Sequence, residues 1–216
     1  TPSVGGSDGD SYLDVGSVIG TTTGNVGRFT PNHFDLVSTE SCTPVAPATS
    51  FTYSGQEFTV TIAARNSSGG TTVNYNGDFV RGPIISNAGV ATDFTNNTLS
   101  HIHFANGIGT RNDVTYTFGN KETIPLIMTN IRAIDADTIS SATYTEGSNL
   151  FRSGRARLEN VFGPELTSLT MPLKIEYYSD NATPADLTDD GFILNTDDTC
   201  TSYDAWRSCY SNQRQF

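Results

Sequence analysis

Asp186, Asp189, Asp190, Asp197 and Asp198, with Asn195 among them, crowd one polar stretch that ends on Cys200. Calcium takes six to eight oxygens from Asp, Asn and backbone carbonyls in irregular loops, so these five aspartates are the candidate cation ligands, with Gly191 allowing a sharp bend. Asp8, Asp10 and Asp14 form a second, smaller group of the same kind. Neither matches an EF-hand, because Tyr12 and Ile19 stand where that loop needs an oxygen donor and a glutamate. The competing interpretation is simple turn formation by Asp and Asn. His101-Ile102-His103 is a His-x-His that a strand would present on one face, a spacing able to chelate a transition metal if Asp93 or Asp113 supplied a third ligand.

Tyr203, Trp206 and Tyr210 lie just beyond the acidic stretch, after Tyr177 and Tyr178. Aromatic faces beside carboxylates are what a sugar-binding surface uses, which makes these three the candidate ligand-binding residues. Covering a sheet edge is the bland alternative. For glycoside hydrolysis the available carboxylates are Glu159, Glu165 and Glu176, but nothing singles out an acid and a base among them. No Gly-x-Ser-x-Gly occurs, and the three histidines have no evident nucleophile partner. No catalytic residue is assigned, and the expectation is that the chain is not an enzyme.

Cys200 and Cys209 stand nine positions apart in a turn-rich tail and are expected to form a disulfide, which implies an oxidising compartment. Cys42 can instead reach Cys200 across the fold. Metal ligation by cysteine is disfavoured, since no Cys-x-x-Cys or neighbouring His completes a tetrahedral set.

The elements that must hold these groups are short and extended. In Phe51–Asn66, Phe58, Val60 and Ile62 share one face of a strand while Thr59 and Thr61 share the other. The segment 71–80 is expected to answer it as the second arm of a hairpin, broken at Asn76-Gly77. Further strands are expected at Val90–Phe94, His101–Phe104, Val114–Phe118, Ile124–Ile134 and Ala142–Tyr144, and an edge strand near Val15–Ile19. Arg155, Arg157, Leu158, Leu166, Leu169, Pro172, Leu173, Ile175, Tyr177 and Tyr178 read as two extended segments joined by a turn at Gly163-Pro164. Short alternating runs separated by regular turn signals are the mark of an all-β, immunoglobulin-like antiparallel β-sandwich. The organisation is a linker or edge strand over 1–25, a sandwich over 26–145, and C-terminal hairpins with the acidic loop over 146–216. Those hairpins either complete the same sandwich or form a second small β subdomain.

Composition bounds the function. Of the 216 residues 36% are hydrophobic and 16% charged, and the formal net charge is −11. Phosphate contacts need a basic surface, so nucleic-acid binding and docking on anionic lipid are disfavoured. No run approaches the roughly 18 apolar residues that span a bilayer. Both ends read as cuts in a longer exported protein.

Four segments carry a resemblance: VGRFTPNHFDLV (26–37), the run 51–79, IRAIDAD (131–137) and the stretch 151–201. In that order they resemble the C-terminal part of MshQ-type proteins, named for biogenesis of the mannose-sensitive haemagglutinin type IV pilus in Gram-negative bacteria. The resemblance implies β-sandwich modules of a large exported protein, located outside the cell or on its surface. Pilus components or other surface proteins would be its partners and glycans a further class. It also implies that Asn195–Cys200 is a structural corner. The function expected is a noncatalytic module in adhesion or pilus assembly. A calcium-assisted carbohydrate-binding module is the first alternative, and a polysaccharide-active enzyme the second.

Overall fold

The computed structural model describes residues 30–89, 93–164, 166, 170–180 and 191–201. All that follows concerns the unit Pro31–Phe216. Its described strands are, in chain order, β1 (His33–Thr39), β2 (Thr52–Tyr53), β3 (Glu57–Arg65), β4 (Ile84–Asn87), β5 (Phe94–Thr95), β6 (Phe104–Ala105), β7 (Ile108–Tyr116), β8 (Leu126–Ile134), β9 (Gly147–Arg152), β10 (Gly154–Leu158), β11 (Leu173–Ser179) and β12 (Gly191–Leu194). The chain is all-β and sandwich-like, as its alternating pattern implies.

One sheet runs β1-β3-β7-β5, with β6 also on β7; a second runs β2-β9-β8-β4; a third runs β10-β11-β12. On β3, Phe58, Val60, Ile62 and Ala64 are buried and their neighbours are not, because successive side chains point to opposite faces. Antiparallel pairing sets Leu36 of β1 opposite Ile62 and Phe34 opposite Ala64. The second sheet answers with Ile85, Met128, Ile131, Ala133 and Phe151 in the same core. Met128 and Ile131 are both buried although three apart, because the ladder to β9 shifts register between them and resets the phase of the strand. Aromatic rings fill the centre: Phe151 lies 5.6 Å from Phe58 and 4.6 Å from Tyr116, within the range of favourable ring pairs.

Several expected strands take other forms. Residues 71–80 do not return as a hairpin arm: Asn76 caps a 3-10 turn at Gly77–Phe79, its Oδ1 accepting from the Gly77 amide. Gly77 sits at φ +54, a conformation glycine adopts freely. Tyr75 is the buried residue here, its hydroxyl donating to Asp135 Oδ2 at 2.8 Å. Ala142–Tyr144 is a turn rather than a strand, with Thr143 at φ +66 and the Tyr144 amide donating to Ser141. His101–His103 is a 3-10 turn, so strand alternation does not bring its two imidazoles together. The expected strand at Val90–Phe94 survives as Phe94–Thr95, residues 90–92 lying outside the described set, as does the segment Val15–Ile19.

The second sheet holds the one departure from antiparallel pairing among the named strands. β2 runs parallel to β9, with Thr52 opposite Phe151 and Tyr53 opposite Arg152. This brings Tyr53 and Arg152 side by side where β9 ends and β10 begins.

Candidate functional site

Arg152 is the centre of a polar network that joins β2, β9 and the segment after β12. Its side chain is 7% exposed. The two terminal nitrogens donate to different partners, Nη1 to Asn195 Oδ1 and Nη2 to Asp197 Oδ2, both at 2.7 Å. Above and below, the guanidinium lies 4.6 Å from the Phe51 ring centre and 4.5 Å from that of Tyr177. A planar cation between two aromatic faces with charge-assisted hydrogen bonds at its edge is a geometry that lysine cannot reproduce. Arg152 Nε is buried without a partner.

The network continues outward from Asn195. Its Nδ2 donates to the Tyr53 hydroxyl at 2.6 Å, and that hydroxyl donates to Asp198 Oδ2 at 2.9 Å. Asp198 in turn closes the corner that follows: its Oδ1 accepts from the amides of Cys200 at 3.0 Å and Thr201 at 2.8 Å, while the Thr201 hydroxyl donates to Oδ2. Burial pushes Asp198 upward, but the Thr201, Tyr53 and Cys200 donors prevail and hold its carboxyl below the usual range. The Tyr53 phenol is pushed up, chiefly by burial and further by the Asp198 carboxylate, so it stays protonated and acts as a donor. This is chemistry for holding: the Tyr53 hydroxyl and both terminal nitrogens of Arg152 are committed to structural bonds.

A covalent bond lies alongside. Cys42, buried beside Phe51 and bridged to it by paired backbone hydrogen bonds, forms a disulfide with Cys200 across 158 positions. The expected Cys200–Cys209 bond is therefore corrected. The Asp198 corner holds the Cys200 amide, and the sulfur is spent on Cys42. Cys209 lies outside the described residues.

β10, β11 and β12 extend from this junction. On one face Glu176 is buried and receives Arg155 Nη2 at 2.6 Å and Arg157 Nη1 at 3.4 Å. Burial raises the Glu176 pKa, but the hydrogen bond and charge of Arg155, with Arg157 behind it, outweigh that and leave it lowered. Arg155 also lies 3.9 Å over the Phe192 ring. The opposite face carries Gly154, Ala156, Leu158, Leu173, Ile175, Tyr177 and Ile193, since paired residues of antiparallel strands share a face. Tyr53 packs onto Gly154 so closely that a Cβ there would lie 2.4 Å from the ring. Beside it a pocket of about 210 Å³ is lined by Tyr53, Gly154, Arg155, Ala156, Ile175 and Thr201.

Of the candidate cation ligands, Asp197 is paired with Arg152 and Asp198 holds the corner. Asp186, Asp189 and Asp190 lie outside the described residues, as do Tyr203, Trp206 and Tyr210. Near the His-x-His, the His103 ring accepts from the Ser100 amide at 3.0 Å and Asp113 is bound by Arg111 at 2.7 Å. Among the described residues no group of three or more His, Cys, Asp or Glu converges on a point. Of the three glutamates, Glu159 pairs with Lys174 at 2.5 Å, Glu176 is clamped by two arginines, and Glu165 is outside the described set. No described helix is long and apolar enough to cross a membrane. Sequence reasoning did not find Arg152 or Tyr53, and it set Asn195 among candidate cation ligands, whereas its side chain accepts from Arg152 and donates to Tyr53. The signal that pointed nearest was the Asn195–Cys200 run, whose Asn and Asp density marks a corner.

Two family models divide the chain at this junction: the DUF6701 third domain matches residues 4–153, and the DUF6701 fourth domain matches 152–215. The chain belongs to the DUF6701 family. No curated protein and no solved structure matches it. The DUF6701 boundary gives the network a second meaning. Cys42, Phe51 and Tyr53 lie in the third-domain match; Tyr177, Asn195, Asp197, Asp198, Cys200 and Thr201 lie in the fourth. Arg152 stands in the overlap and binds partners from both. The site is a latch between two DUF6701 domains.

Proposed function

We propose that this chain is a noncatalytic β-sandwich module of an exported, pilus-associated bacterial surface protein of the MshQ type, working in adhesion or pilus assembly outside the cell. The observation that carries this reading is the latch. A disulfide and a buried arginine network fasten two consecutive domains to each other, as suits a protein that must keep its shape where no chaperone or reductant supports it. The segment-by-segment resemblance to MshQ-type proteins and the acidic, Thr- and Asn-rich composition point the same way. In this role the latch sets the angle at which one module hands the chain to the next. Tyr53, Asp197 and Asp198 are engaged in holding that angle.

The test is genetic and structural together. Deleting the parent gene should reduce surface pili counted by electron microscopy, or attachment to a surface, or both. Complementation with a gene carrying Cys42→Ser and Cys200→Ser should restore less than the wild type does. Normal piliation and normal attachment in the deletion strain would remove the proposal.

A further inference from the structure

Asn-Gly occurs twice in the chain, at Asn76-Gly77 and at Asn106-Gly107. An asparagine before glycine can lose its side-chain nitrogen, because the next amide nitrogen can approach the carboxamide carbon with no Cβ in the way. Both asparagines are exposed, so water and base reach each of them. Their backbones differ. Asn76 is extended, at φ −154 and ψ 156, and its Oδ1 accepts from the Gly77 amide at 2.9 Å. The attacking nitrogen and the carboxamide are thus already in contact. Asn106 lies at φ +51 in the tight turn between β6 and β7, which the pairing of Ala105 with Ile108 closes. Gly107 is buried there, and a Cβ on it would lie 2.3 Å from the Thr72 carbonyl oxygen. Its own carbonyl accepts from the Ala64 amide at 2.8 Å. Rotating that peptide toward the Asn106 side chain would break both the ladder and this bond.

We infer that Asn76 is a site of spontaneous deamidation in the folded protein, with water as the co-reactant, and that Asn106 is protected. Base takes the Gly77 amide proton, and the nitrogen attacks Asn76 Cγ. The N–Cγ bond forms, the Cγ–Nδ2 bond breaks, and the side-chain nitrogen leaves as ammonia. Water then opens the cyclic imide. Opening at the side-chain carbonyl leaves an aspartate, and opening at the main-chain carbonyl leaves an isoaspartate whose chain runs through the side-chain carbon. Amide and water are consumed, carboxylate and ammonia are released, and no oxidant or reductant takes part. The fold around Asn76 can absorb the longer main chain. Tyr75 is buried, and its hydroxyl donates to Asp135 at 2.8 Å while accepting from the Arg81 amide at 3.2 Å, which fixes the loop at its two ends. Between those anchors none of residues 76–80 is buried. The bond at stake is the one from the Phe79 amide to the Asn76 carbonyl, at 3.1 Å. This inference goes beyond the proposed function and does not rest on it.

The test ages the folded protein in mildly alkaline buffer made with heavy-oxygen water, which marks every carboxyl formed during the incubation. Digestion and mass spectrometry with electron-transfer fragmentation then read positions 76 and 106 separately and distinguish aspartate from isoaspartate. In the folded protein, labelled conversion at 76 should exceed that at 106 several-fold. In denaturant the two positions should convert at similar rates, since the same dipeptide is then free at both. Conversion at 106 equal to or greater than that at 76 in the folded protein would overturn the inference. So would a folded protein that converts at neither position while the unfolded chain converts at both.

Discussion

Replacing Arg152 by alanine tests the latch most directly. The substitution removes a guanidinium whose side chain is 7% exposed and leaves Asp197, 26% exposed, facing Asn195 with no counter-charge. Breaking a buried pair by deleting one partner costs about 3–5 kcal/mol, and the partial exposure of Asp197 places the expectation at the lower end, about 3 kcal/mol. Loss of the contacts with Phe51 and Tyr177, centred 4.6 and 4.5 Å away, adds to this rather than offsetting it. Against a total stability of about 5–15 kcal/mol, that is a large fraction. For a chain of this size about 3 kcal/mol corresponds to a fall in Tm of about 6–12 °C, readable by differential scanning calorimetry. A companion experiment separates the pair from its setting. Arg152→Met with Asp197→Leu removes both charges and keeps apolar bulk between the rings, so it should recover much of the loss. A drop of less than about 1 kcal/mol in Arg152→Ala, or strict additivity in the double variant, would refute the reasoning that the pair acts as one buried unit.

Closing a loop of 158 positions through Cys42–Cys200 removes chain entropy worth up to about 5 kcal/mol, so reduction or Cys42→Ser should lower the denaturant midpoint sharply. An unchanged midpoint in reductant would contradict that. Gly154→Ala should cost about 1–3 kcal/mol, since the new Cβ would stand 2.4 Å from the Tyr53 ring. Gly119→Ala, where nothing lies within 4 Å, serves as the control and should be close to neutral in the same melt. Acid should loosen the fold through carboxylates whose folded pKa is depressed. Glu176, lowered from 4.5, and Asp198, lowered from 3.8, contribute stability that is present above those values and lost as pH falls through the folded pKa. Asp135 has the opposite sign: burial raises it from 3.8, so its contribution is present below that value and lost as pH rises. Urea midpoints measured from pH 6 down to pH 2 should therefore fall less steeply for Glu176→Gln than for the wild type, and the same slope in both would exclude Glu176 as a source.

The sandwich was legible because its main strands bury every second residue. Phe58, Val60 and Ile62 announce β3 with no tertiary information, and Leu126–Ile134 follows from β-branched residues after Pro125. What misled was alternation without the backbone to support it. Val73, Tyr75 and Phe79 look like a strand face, yet Asn76-Gly77 closes a turn and only Tyr75 is buried. His101 and His103 mislead for the same reason, since a 3-10 turn does not keep every second residue on one side. The latch was hidden for a different cause. Arg152 and Asn195 are 43 positions apart, and Tyr53 and Asn195 are 142 apart. No local pattern encodes contacts that form only when β2 pairs with β9 and the chain after β12 brings Asn195 to both Tyr53 and Arg152. The Cys200 pairing was hidden likewise, because proximity in sequence favoured Cys209 while the sulfur is spent on Cys42.

The bond between Cys42 and Cys200 also decides how the molecule carries tension. Pulled from points outside that loop, the chain transmits load from sulfur to sulfur, and the 158-position stretch between them bears none. That stretch would otherwise add roughly 500 Å of contour when extended. With the bridge intact, that slack stays locked away and the strands inside keep their pairing under forces that would unzip them one by one.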